Sequence, residues 1–129
     1  MAWVDIVGLL AVLQLFVFGV LVGRARSRYG IAAPATTGHP VFERYYRVQM
    51  NTVEPLIVFL PALWLAAKYS SPGVAAILGA IYLVGRTLYL NAYVSDPKKR
   101  GPGFGMSMLP TLVLVAVALI GAVRSLFHS

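Results

Sequence analysis

The chain has 129 residues, 59% of them hydrophobic, a mean hydropathy of +0.78, and 11 Lys and Arg against 4 Asp and Glu, for a net charge of +7. So few charges cannot solvate a globular surface of that size, which excludes a water-soluble fold and leaves one small integral membrane domain, 1–129. There is no cysteine, and His39 and His128 fall at opposite predicted ends, so disulfides, a zinc–thiolate centre, a cysteine nucleophile and a histidine-rich metal site are excluded too.

A helix crosses a hydrocarbon core of roughly 30 Å in about 20 residues. The first such window is Trp3 to Gly23. It is N-terminal and apolar like a secretory signal, but it lacks a basic leader and its cations follow it, so a retained helix is expected. The loop Gly30 to Pro40 contains Pro34, Gly38 and Pro40 among small residues and favours turns. The next apolar run, Pro55 to Ala67, is only 13 residues long. It spans only if the helix begins near Tyr45 and takes Arg47, Gln49, Asn51 and Glu54 with it. Ser70-Ser71-Pro72-Gly73 reads as a turn with Ser71 as N-cap and Pro72 at the first helical position. A third span follows over 73–94. Asp96 to Gly103 is a basic, glycine- and proline-rich connection into a fourth span, Met106 to Leu126. The expected architecture is an all-α membrane bundle of four helices, at 3–23, 45–68, 73–94 and 106–126.

Arg24, Arg26, Arg28, Arg44 and Arg47 lie beside the first two spans, and Arg86, Lys98, Lys99 and Arg100 at or after the end of the third. Only Lys68 and Arg124 remain for the other side. The positive-inside rule makes the basic face cytoplasmic and puts both termini outside. Topogenesis and anionic headgroups account for the net charge, so no nucleic-acid partner is implied.

Helical spacing sorts the polar residues. Arg47, Asn51 and Glu54 stand at i, i+4, i+7 on one face of the second helix; Arg86, Tyr89 and Tyr93 at i, i+3, i+7 make a matching stripe on the third. Each feature has a plain structural use, as an ion pair of Glu54 with Arg86 or Arg47, an interfacial tyrosine belt, or Asn51 as glue between helices. Their coincidence at one level is more polarity than packing four helices requires. Ionisable groups at membrane depth cost several kcal/mol unless they face a partner, a ligand or water.

The pattern Phe42-Glu43-Arg44-x-Tyr46-Arg47-x-Gln49-x-Asn51-x-x-Glu54, the stripe Tyr82-Leu83-x-x-Arg86-x-x-Tyr89-x-x-x-Tyr93, Arg100 and the loop Thr36-Thr37-Gly38-x-Pro40 resemble the MAPEG family. These are the membrane-associated proteins in eicosanoid and glutathione metabolism, and the likeness covers the whole chain. It implies a homotrimer with glutathione, and no metal, in clefts between protomers that open to the cytosol. By the same resemblance, Arg26, Arg47, Gln49, Asn51, Glu54, Arg86, Tyr89 and Tyr93 contact glutathione, and Arg100 is the catalytic residue holding its thiolate. Guanidinium groups suit the ligand's two carboxylates and Glu54 its ammonium.

What the resemblance implies is a glutathione transferase, with or without peroxidase activity, acting on lipophilic electrophiles or lipid hydroperoxides that enter from the bilayer. A multi-pass protein of a bacterial inner membrane fits the absence of an organelle address. The alternative is a non-catalytic lipid- or glutathione-binding membrane protein of the same fold. A small four-helix drug exporter fits less well, because its first helix carries a glutamate where this one offers only Asp5 at its edge and Gln14. Two departures mark this chain. Pro55 stands where the leukotriene synthases have a tyrosine after the glutamate, and Arg26-Ser27 replaces their tandem arginine.

Overall fold

The computed structural model describes residues 1–128, which form α1 (Ala2–Tyr29), α2 (Pro40–Tyr69), α3 (Pro72–Ser95) and α4 (Gly101–His128), with a single 3-10 turn, Pro97–Lys99, before α4. Among the described residues there is no strand. All four helices are long and apolar enough to cross a membrane. The protein is an all-α, multi-pass membrane bundle.

Three of the helices outrun the expected spans, and for one reason. An apolar window marks where lipid is, whereas a helix ends only where its hydrogen bonding is stopped. The Arg-rich stretch after Gly23 is a good helix former and carries α1 on to Tyr29. There Gly30 takes the left-handed conformation, φ 67, and the N–H groups of Gly30 and Ile31 both return to the Arg26 carbonyl. α2 starts at Pro40, whose missing N–H costs nothing in a first turn. His39 caps it, Nδ1 accepting from the Val41 N–H at 3.1 Å, and the Tyr29 and His39 rings stack at 3.8 Å to close the loop. α4 tolerates Gly101, Pro102 and Gly103 in its opening turn for the same reason as α2. Ser71 caps α3 as expected, accepting from Val74 N–H at 3.3 Å.

Successive helices run antiparallel. α2 and α3 are the central pair, each touching all the others, and α1 and α4 lie on opposite flanks. Lys68 lies in the last turn of α2, where Tyr69 lines a cavity with Arg124 and His128 of α4, and the cations of the loops gather at the other end. The main apolar core fills the half nearer the N-terminus, with Val4, Val7, Ala11, Phe59, Leu63, Tyr82 and Leu114. Lipid tails are as apolar as these side chains, so the helices are held by fit rather than by escape from water. Glycines supply the fit. A Cβ at Gly8 would strike the Trp64 ring, one at Gly79 Val7, and one at Gly85 the Met106–Ser107 backbone. Of the small residues on α3 that allow close helix approach, Gly79, Gly85 and Ala75 are buried within the bundle and Ala92 is half-buried. Two smaller clusters, around Phe18, Val48 and Tyr89 and around Val22, Ala25 and Phe42, fill the basic end.

Candidate functional site

Between the main core and the basic end lies a layer of polar side chains, Thr52, Arg86, Ser107 and Thr111, all buried. It is built around a gap in α2. Pro55 has no N–H, so the Asn51 carbonyl lacks the i+4 donor that an α-helix would give it. Arg86 of α3 supplies one, its NH1 donating to Asn51 O at 3.0 Å and to Thr52 Oγ1 at 3.2 Å. NH2 donates to Ser107 Oγ of α4 at 2.8 Å. The guanidinium, 0% exposed, thus joins three helices and lies over the Tyr89 ring, 4.4 Å from its centroid.

Asn51 sits at the edge of this layer. Its Nδ2 donates to the Tyr89 hydroxyl at 3.0 Å, while the residue itself is exposed. Tyr89 is buried and stacks on half-buried Tyr93, ring centroids 5.6 Å apart. Outward from Asn51, on the same flank of α2, Arg47 and Glu54 are also exposed. Neither has a hydrogen bond or ion pair among the described residues. Asn51, Tyr89 and Tyr93 are thus in contact, with Arg47 and Glu54 exposed on the same flank of α2 as Asn51.

Arg86 does not share that open face. Expected to contact a ligand, it is enclosed in the bundle with NH1 and NH2 turned to Asn51, Thr52 and Ser107, while Nε has no hydrogen-bond partner among the described residues. The i, i+3, i+7 stripe is sound as geometry, but Arg86 lies on the buried side of α3, whose exposed side at that depth carries Val84, Thr87 and Leu88.

Arg100 stands outside α3. Pro97 ends that helix at Ser95, the 3-10 turn follows with Asp96 capping Lys98 N–H at 3.1 Å, and Arg100 lies exposed at the threshold of α4. Gly103 then lets α4 start directly against the Tyr89 backbone, where any Cβ would clash. Arg44 steadies the same corner, donating to Val94 O at 2.9 Å as a cap for the last carbonyls of α3.

Gln49 and Arg26 are elsewhere. At 100° per residue Gln49 falls on the opposite flank of α2 from Arg47 and Glu54. It closes a groove of about 580 Å³ lined by Val12, Leu15, Phe16, Gly19 and Val20 of α1. Arg26 is taken up locally, donating to Ala35 O at 2.7 Å and lying 4.8 Å from the Phe42 ring. Within one protomer these two do not converge with the rest.

Sequence reasoning passed over Thr52, Ser107 and the capping role of Arg44. Only Pro55 carried a signal, since a proline inside a membrane helix announces an unpaired carbonyl four residues earlier.

The MAPEG family model matches residues 5–120. The chain belongs to the MAPEG family. Among MAPEG relatives, an uncharacterised protein of Synechocystis is 48% identical over 118 residues, 92% of this chain and 86% of that one. Human microsomal glutathione S-transferase 2 is 39% identical over 119 residues, 92% of this chain and 81% of that one. Leukotriene C4 synthase of Bos taurus is 37% identical over 115 residues, covering 89% and 77%. MAPEG membership and the four apolar helices agree on an integral membrane protein.

Proposed function

We propose that this protein is a membrane glutathione transferase that binds the tripeptide along Arg47, Asn51, Glu54, Tyr89 and Tyr93 and activates its sulfur as a thiolate at Arg100. The observation that carries the reading is the exposed trio Arg47, Asn51 and Glu54. Two opposite charges and an amide stand in line on a helix that crosses a membrane, and neither charge is matched within the protomer among the described residues. A zwitterionic ligand with carboxylates at its ends and an ammonium at one of them matches that line. The similarity to a protein named for glutathione transfer points the same way.

The two flanks of α2 support a composite site. A head-to-tail contact would set the Gln49–Arg26 side of one copy against the Arg47–Glu54 side of the next, and a threefold rotation between copies closes such a contact into a ring of three. A homotrimer with three clefts is the arrangement proposed, in a bacterial inner membrane with termini outside and the clefts open to the cytoplasm, since the loop cations gather at that end.

A free thiol near pKa 8.5 is only a few per cent ionised at neutral pH, and a neighbouring guanidinium raises that fraction. Lowering the pKa by about two pH units corresponds to roughly 2.7 kcal/mol in favour of the anion. Arg100, on the rim of a cleft partly screened from water, supplies it as a fixed charge. The thiolate then attacks an electrophilic carbon, expelling its leaving group, or the outer oxygen of a lipid hydroperoxide. In the second case the O–O bond breaks, the lipid alkoxide leaves and takes a proton, and a second glutathione converts the sulfenic acid to the disulfide with loss of water. The apolar partner reaches the cleft from the bilayer.

The test is titration calorimetry of the detergent-solubilised protein with glutathione, followed by thiol consumption with an aryl halide and with a lipid hydroperoxide. Heat of binding together with consumption is expected. Binding without consumption would make the chain a non-catalytic glutathione binder of the same fold, and absence of both would overturn the reading.

A further inference from the structure

Arg86 is costly where it stands. A guanidinium fully enclosed at membrane depth is normally matched by a carboxylate, yet Asp5, Glu43, Glu54 and Asp96, the only acids in the chain, make no ion pair with it among the described residues. Its partners are neutral oxygens instead. One of them is special. Thr52 Oγ1 and Ser107 Oγ also donate to carbonyls in their own helices and would be satisfied without Arg86. The Asn51 carbonyl would not. Pro55 removes its helical donor, and in a bilayer no water stands ready to replace it.

We infer that Arg86 is a positioning residue: its guanidinium takes the place of the peptide N–H that Pro55 lacks, and so fixes the turn of α2 that presents Arg47, Asn51 and Glu54. The inference rests on the glutathione reading above and deepens it by giving the enclosed arginine a task distinct from touching ligand. Asn51 is held twice from α3, through its carbonyl by Arg86 and through its amide by Tyr89, whose ring lies beneath the same guanidinium. It is also the middle member of the exposed trio, so its orientation sets how Arg47, one turn before, and Glu54, one turn after, are spaced and aimed. A helix that has lost one rung at this point is free to flex there, and the flexing would act on the distance between the two charges. Through Ser107 the same side chain ties α4, the helix that Arg100 introduces, to this turn.

If Arg86 serves the vacancy left by Pro55, restoring an N–H at position 55 makes Arg86 dispensable. The experiment compares Arg86→Met, Arg86→Lys, Pro55→Ala and both double variants, purified in detergent. Steady-state kinetics are read for glutathione, and thermal unfolding is read without it. Losing a charge-assisted hydrogen bond is worth about a tenfold change. Arg86→Met is therefore expected to raise KM for glutathione about tenfold while kcat stays within about threefold, the pattern of lost ground-state positioning rather than lost chemistry. Lysine, which still offers a donor to Asn51, recovers part of that loss. In the Pro55→Ala background the effect of Arg86→Met shrinks to about twofold, and the drop in unfolding midpoint shrinks with it.

Equal effects of Arg86→Met in both backgrounds, on KM and on unfolding, would overturn the inference and leave Arg86 as packing. Where Arg86→Met does not accumulate as folded protein, Arg86→Lys is compared across the two backgrounds instead: a smaller effect beside Pro55→Ala supports the inference, and an equal effect overturns it. Coupled unfolding with no binding of glutathione by the unaltered chain would overturn the functional reading and support the brace between Pro55 and Arg86.

Discussion

The half of the bundle nearer the N-terminus and the half nearer the basic loops are held together by different means. In the first, Phe59 and Tyr82 stack at 3.9 Å, Gly8 admits the Trp64 ring and Gly79 admits Val7. Apart from Trp64 Nε1–H donating to Asp5 Oδ1 at 2.7 Å, the contacts there depend on shape, because apolar faces gain little by leaving lipid for protein. In the second, a single guanidinium joins α2, α3 and α4 by hydrogen bonds that have direction as well as strength. Shape alone lets helices slide or rotate by small amounts at modest cost, whereas a bond from Arg86 to one named carbonyl fixes both height and rotation. The half that must hold functional groups in register is the one built with polar bonds.

Five substitutions probe that contrast, in descending order of effect, with Gly79→Ala as the counterpart of Gly85→Ala. Phe59→Ala empties a site that is 0% exposed and removes the ring stack, so stability should fall by about 4 kcal/mol. Unfolding in mixed micelles measures it, and KM for glutathione should stay unchanged; a shift in KM would mean that the halves are not independent. Arg100→Ala should do the converse, lowering turnover about a hundredfold, or about 2.7 kcal/mol, with the heat of glutathione binding and the unfolding midpoint preserved. Undiminished turnover would remove Arg100 from the chemistry. Gly85→Ala places a methyl against the Met106–Ser107 backbone beside the polar layer, at a cost of about 2 kcal/mol. It should also weaken glutathione binding in calorimetry, since Ser107 moves with α4, whereas Gly79→Ala in the apolar half should cost stability alone. Smallest is Gln14→Leu, which removes the amide bonds to Leu83 O and Thr87 Oγ1 that tie α1 to α3. A loss of about 0.6 kcal/mol in unfolding is expected.

Much of the fold could be read from the residue order. The four spans, the Ser71 cap and the gathering of cations at one end all follow from hydropathy, turn residues and charge, which act locally or in one dimension. Helix ends were less legible, because Arg24 to Tyr29 and Pro40 to Arg44 are helical outside the apolar windows. The site was legible in part. The face shared by Arg47, Asn51 and Glu54 is a matter of helical period. Whether Arg86 looked into a cleft or into the protein was not, since period gives angles on one helix and not what stands opposite them. Spacing by itself separates Gln49 from Arg47 and Glu54, but does not show that its flank of α2 lines the groove beside α1.

By itself, then, the sequence determined a four-span membrane protein of the MAPEG family with a charged stripe on its second helix, because composition and period are properties of the chain taken one element at a time. Only the tertiary structure decided which polar groups face outward and which are used within. The deciding physics is that a proline left one carbonyl without a donor in a medium lacking water, and the nearest side chain able to reach it came from a different helix.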